Sequence, residues 1–121
     1  MIFAHDLHLM FALVSMAAML GVAGEGAVRV VRAQAPGKAA SVGLSAVAIL
    51  LGMTAAGGLA LLAGGQRPKE FLHLVYALLA FGLVPLADSL AAHASPRRRA
   101  LARLGGALVA AGVIARLFAT G

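Results

Sequence analysis

The chain has 121 residues, of which 62% are hydrophobic and only 12% charged, and its formal net charge is +6. A soluble domain carries roughly 25% charged residues, so this composition argues against a soluble fold. There is no cysteine, which excludes disulfides and thiolate metal sites. The basic residues lie in short clusters between long apolar stretches, a pattern typical of multi-pass membrane proteins and not of nucleic-acid-binding proteins.

Four apolar segments are long enough to cross a bilayer, which requires about 20 residues each. In chain order they run from about residue 3 to 28, 39 to 65, 71 to 92 and 100 to 119. Backbone polar groups in lipid have to be hydrogen-bonded within the segment, so each segment is predicted to be a helix. Residues 1–121 are therefore predicted to form a single four-span transmembrane domain.

Turn-forming residues stand between the predicted helices, at Pro36, at Gly64 and Gly65, and at Pro96. Because the connections are short, consecutive helices are expected to be antiparallel. The sequence thus predicts an all-α, up-down-up-down four-helix bundle. Pro85 lies inside the third helix and is expected to kink it.

The basic residues are distributed unequally between the two predicted ends of the bundle. Seven lie at the end of the first and third connections, and three lie at the end with the termini and the second connection. By the positive-inside rule both termini are expected outside the cytoplasm. The high content of alanine, glycine and arginine, with few lysines, indicates a bacterial source, so a bacterial inner membrane is the predicted location. The triplet of arginines at 97–99 would also attract anionic lipid headgroups.

One heptad occurs almost twice: residues 7–13 read LHLMFAL and residues 72–78 read LHLVYAL. The match is informative because the chain has only four histidines, and two of them, His8 and His73, align at an offset of 65 residues. The offset suggests a tandem repeat of two helical hairpins. In such a repeat the first and third helices are parallel, and the two histidines lie at the same depth.

In a compact bundle the first and third helices are diagonal, so His8 and His73 can point at a common centre. Two imidazoles suit haem iron, and imidazole also suits copper or zinc. A copper site would recruit His5, three residues before His8. A haem would use cations at the same end for its propionates, and Arg67 and Arg116 are candidates together with Lys69.

These residues also have simpler interpretations, which the sequence leaves open. The two histidines can be interfacial or packing residues, or part of a proton relay. Tyr76 can anchor its helix at the interface, or donate a hydrogen bond to a quinone or another ligand. Arg116 can extend its charged group to the membrane surface.

With its four spans and two L-H-L-x-aromatic-A-L stretches, the chain resembles the small four-helix membrane b-type cytochromes. That resemblance implies His8 and His73 as axial ligands of a haem b.

Two carboxylates, Glu25 and Asp88, lie near the same predicted end of the bundle and are expected to pair with Arg29 and Arg103. They are interpreted as an interfacial ion-pair cluster, or alternatively as a proton-loading site.

Three functions follow from these patterns. The first is an electron-transfer subunit of a membrane chain such as a respiratory chain, with a quinone as a candidate partner. The second is a cofactor-free structural subunit that packs against other membrane subunits or its own copies. The third is a small carrier, ranked lowest because no acidic residue lies near the bilayer centre.

Overall fold

The computed structural model describes residues 2–67 and 71–120 and is built from four α-helices within those ranges. The helices are α1 (Ile2–Val31), α2 (Lys38–Ala63), α3 (Leu72–Leu90) and α4 (Pro96–Thr120). All four are long and apolar enough to cross a membrane. The all-α, four-span prediction is therefore confirmed.

The first and last helices extend beyond the ranges predicted from apolarity. α1 continues to Val31, and α4 begins at Pro96 rather than near residue 100. Ser95 acts as an N-cap, because its hydroxyl accepts a hydrogen bond from the backbone N–H of Arg98 at 3.4 Å. Proline is well tolerated at the first helical position and arginine is a good helix former. The apolar pattern did not include this first turn of α4, because the turn consists mainly of arginines.

The helices pack as a ring in which α1 contacts α2 and α4, and α4 contacts α3. The interface between α2 and α3 is much smaller than the other three. Within the described ranges no Cα atom of α1 lies within 8 Å of one in α3, and the same holds for α2 and α4, so these pairs meet only through side chains. Each of these pairs is therefore diagonal, as the short connections predict.

Close approach of α4 to its neighbours depends on two glycines. A Cβ added at Gly26 on α1 would lie 3.3 Å from the backbone of Leu104 on α4, and one at Gly106 would lie 3.0 Å from the Cβ of Ala87 on α3. Small residues at helix interfaces allow the backbones to pack closely in membranes. The buried core lies between these contacts and includes Met19, Val22, Val47, Val84 and Ile114.

The bundle has two chemically different ends, which are named here by their residues. The histidine end is where α1 begins, α2 ends, α3 begins and α4 ends. The arginine end is the opposite one, where the α1–α2 and α3–α4 connections lie. His8 and His73 are near the first, and the arginines at 97–99 are at the second.

The C-termini of α1 and α2 are closed by the same hydrogen-bond motif with different residues at its left-handed position. After α1, the N–H groups of Ala33 and Gln34 bond to the carbonyls of Val30 and Arg29, and Ala33 has a φ of 51°. After α2, Gly65 occupies the equivalent position with a φ of 87°. Both are Schellman caps, in which glycine is the favoured residue.

We expect Ala33→Gly to stabilise the protein and Gly65→Ala to destabilise it, each by about 1 kcal/mol, because a Cβ is unfavourable in the left-handed region. Both positions are exposed, so packing changes are small. Thermal unfolding of the two variants in one detergent, followed by circular dichroism, measures both effects. Shifts of the same sign in the two variants would contradict this account of the caps.

Candidate functional site

The two repeated histidines lie beside each other in the bundle. The ring centroids of His8 on α1 and His73 on α3 are 6.3 Å apart, and the ring planes are inclined by 47°. Because α1 and α3 are diagonal and their backbones are not in contact, these side chains meet across the bundle. The structure thus brings together the two residues that the repeat singled out.

His8 is oriented by α2. Its Nδ1 lies 2.9 Å from the backbone carbonyl of Thr54. A carbonyl can only accept, so Nδ1 carries the proton and donates it, which leaves Nε2 as the unprotonated nitrogen. The ring packs on two glycines: a Cβ added at Gly58 would lie 3.3 Å from Cε1 of His8, and one at Gly57 would lie 3.8 Å from Nδ1.

His73 is oriented by α4, where it hydrogen-bonds with the backbone of Leu117. Each imidazole therefore has one contact with the backbone of a helix that neighbours its own. Metal-binding histidines typically use the second ring nitrogen in this way, which fixes the tautomer and the ring orientation. The arrangement suits two ligands as well as two structural histidines.

The separation of the rings can be compared with that of two ligands on one metal. An imidazole nitrogen binds a metal at about 2.0 Å and lies about 1.1 Å from its own ring centroid, so two rings on opposite sides of one metal have centroids about 6 Å apart. The observed 6.3 Å agrees with this value. Each ring can rotate about its metal–nitrogen bond, so the inclination of 47° is compatible with axial ligation.

Candidate cations and the tyrosine are found at the same end. The guanidinium of Arg116 on α4 lies 6.0 Å from the ring centroid of Tyr76, at the outer limit of a cation–π interaction. Tyr76 is one turn after His73 on α3, and Arg67 is exposed in the α2–α3 connection. Lys69, the third cation predicted here, lies outside the described residues.

His5 is exposed on α1, one turn before His8. Among the residues that the structure describes, no group of three or more His, Cys, Asp or Glu is close enough together to hold a metal ion. The described part of the site therefore offers two imidazoles. Two imidazoles can serve a haem, which supplies four further nitrogen ligands itself, or form part of a copper or zinc site.

The side of the site between α2 and α3 has the least helix–helix packing in the bundle. The surface of α2 next to His8 includes Gly57 and Gly58, and their lack of side chains lets the imidazole lie close to the helix backbone. A flat group that approaches the histidines would displace fewer contacts from this side than from any other.

The arginine end contains the two predicted ion pairs. Arg29 Nε donates to Glu25 Oε1 at 2.7 Å within α1. Arg103 on α4 forms a two-point contact with Asp88 on α3, from Nη2 at 2.7 Å and Nε at 3.3 Å. Each of these arginines is paired with a carboxylate near the helix ends, which supports their interpretation as a structural cluster.

Two further partners at this end were not predicted from the sequence. The Ser41 hydroxyl on α2 accepts a bond from Arg103 Nη1 at 3.0 Å and donates one to the carbonyl of Gly37 at 3.1 Å. The backbone N–H of Gly37 bonds to Glu25 Oε1 at 3.1 Å. A polar network thus links all four helices. The only feature of the sequence that pointed to Ser41 was its position one turn into α2, at the same end as the arginines.

Comparison with protein-family models, with curated proteins and with solved structures gives no match to this chain.

Proposed function

We propose that this protein is a membrane electron-transfer protein that holds one haem b between His8 and His73 at the histidine end. The observation that carries this proposal is the 6.3 Å separation of the two ring centroids, which fits two axial ligands on one iron. The backbone contact that orients each imidazole supports it further.

The chain would contribute ligation, orientation and charge. His8 presents Nε2 because Nδ1 donates to Thr54, and His73 supplies the second imidazole. Gly57 and Gly58 let the His8 ring lie close to the backbone of α2. A haem held by His8 and His73 would supply one-electron redox chemistry. The apolar helices around the site would tune its potential by limiting access of water.

The cations at this end have a role in the proposal. Haem propionates carry negative charge, and arginine binds carboxylates through parallel hydrogen bonds. Arg116 and Arg67 are the described cations at the histidine end, and Tyr76 lies beside Arg116. They would hold the propionates near the membrane surface while the ring lies deeper.

The electron donor or acceptor would reach the haem from within the membrane. The small α2–α3 interface makes this side the preferred approach for a quinone or for a neighbouring redox subunit. The proposed orientation has both termini outside the cytoplasm, because the basic residues are concentrated at the arginine end. The proposed setting is a bacterial inner membrane, because the chain is rich in alanine, glycine and arginine and poor in lysine.

The test is the reduced-minus-oxidised visible spectrum of the protein, purified in mild detergent after expression with ample haem precursor. We expect one b-type α-band and a haem content near one per chain. Metal analysis of the same preparation distinguishes the alternatives. Copper or zinc without haem would reject haem and retain the two-histidine site. A colourless, metal-free preparation would reject both and favour a structural subunit.

A further inference from the structure

A pocket of about 160 Å³ opens at the arginine end, away from the histidine site. It is formed by the C-terminal end of α3, the first two turns of α4 and the α1–α2 connection. Its lining residues are Pro36, Asp88, Ala91, Ala92, Arg99 and Arg103. A water occupies about 30 Å³ in the liquid, so the pocket has room for a polyatomic anion and a few waters.

The charge of this pocket is positive. Asp88 is neutralised by its two-point contact with Arg103, which leaves Arg99 as the excess charge. Among the described residues the Arg99 side chain has no ion-pair or hydrogen-bond partner. Arg103 is only 7% exposed and uses three of its five N–H groups in bonds to Asp88 and Ser41. Unused donors therefore remain beside Arg99.

The start of α4 adds a second reason to expect an anion here. Arg97, Arg98 and Arg99 stand in its first turn, and that turn has no acidic residue. The N-terminus of a helix carries partial positive charge, so arginines there are unfavourable unless an anion is nearby. A bound anion would relieve this repulsion.

We propose that this pocket binds the phosphate group of an anionic phospholipid, with Arg99 as its main contact. The position favours a lipid, because the pocket lies at the ends of membrane-spanning helices, where headgroups are found. Its walls are mixed: Ala91, Ala92 and Pro36 would contact the glycerol region, and the arginines would contact the phosphate. Free phosphate could bind the same arginines, and the experiment below distinguishes it from a lipid phosphate.

The experiment measures the melting temperature of the purified full chain in detergent during titration with phosphatidylglycerol, phosphatidylcholine or inorganic phosphate. Arg99→Gln is compared with Arg98→Gln, a neighbouring variant with the same loss of charge at a residue that does not line the pocket. We expect saturable stabilisation by phosphatidylglycerol alone. The phosphatidylglycerol concentration that gives half of the maximal stabilisation should rise more than about tenfold for Arg99→Gln. For Arg98→Gln it should rise no more than about fivefold.

Each other outcome rejects the proposal. Equal effects of the two variants would indicate general attraction to the arginine triplet and no pocket. Equal stabilisation by phosphatidylcholine would indicate a detergent or bilayer effect. Stabilisation by inorganic phosphate that depends on Arg99 would identify a free-anion site and overturn the assignment to lipid. None of these results depends on whether haem is present.

Discussion

Replacing either His8 or His73 by alanine is expected to reduce the haem content of the purified protein at least about tenfold, since removal of even an outer-shell partner lowers metal affinity 10–100-fold. Both variants should behave alike, because each removes one of the two proposed haem ligands. His5→Ala and His93→Ala are the controls: both residues are exposed, and both variants should keep the wild-type spectrum.

Loss of the haem has to be separated from loss of the fold. His8 and His73 are only half-buried, so we expect the alanine variants to retain their helical circular dichroism and their elution volume in detergent. His73→Met offers a further measurement, since an axial methionine raises the haem potential. A His73→Ala variant with full haem content and an unchanged potential would show that the iron is not held by this pair.

Arg103→Met is expected to give the largest loss of stability. Removing one member of a buried ion pair costs about 3–5 kcal/mol, because the other charge stays buried without a partner. Asp88 is 29% exposed, so we expect a value of about 3 kcal/mol, at the lower end. Ser41 would also lose its contact with Arg103, which weakens the link between α2 and α4.

Two further variants test whether the loss of stability comes from the buried charge that remains. Arg29→Met breaks the other ion pair, in which the arginine side chain is 36% exposed and the Glu25 side chain 27%. Because Glu25 keeps the backbone N–H of Gly37 as a partner, this variant should cost less than Arg103→Met, about 1–2 kcal/mol. Arg103→Met combined with Asp88→Leu removes both buried charges and should recover most of the lost stability. Unfolding by titration with a denaturing detergent, followed by circular dichroism, measures all of them. Equal costs for Arg103→Met and Arg29→Met would contradict the buried network.

The proposed haem site and the proposed lipid site lie at opposite ends of the bundle and share no residue. Loss of Arg99 should therefore leave the haem spectrum unchanged, and loss of His8 should leave the response to phosphatidylglycerol unchanged. The two ends differ in the nature of their contacts. The arginine end is held by a network across all four helices, whereas at the histidine end each of the two imidazoles is fixed by a hydrogen bond to the backbone of a neighbouring helix.

The sequence by itself determined the helices, their number and their antiparallel order. These depend on local properties: the length of each apolar stretch, the need for internal backbone hydrogen bonds in lipid, and the positions of proline and glycine. It also singled out His8 and His73, because a rare residue was repeated at one offset. The pairs Glu25–Arg29 and Asp88–Arg103 followed from opposite charges placed at one end of the bundle.

Only the tertiary structure decided which side chains meet, because the rotation of each helix about its axis is set by packing. It placed the two imidazole centroids 6.3 Å apart and gave His8 the carbonyl of Thr54 as its partner. It placed Gly26 against Leu104 and Gly106 against Ala87, where α4 comes close to α1 and to α3. It brought Ser41 to Arg103, 62 positions away, a contact that no local pattern encodes.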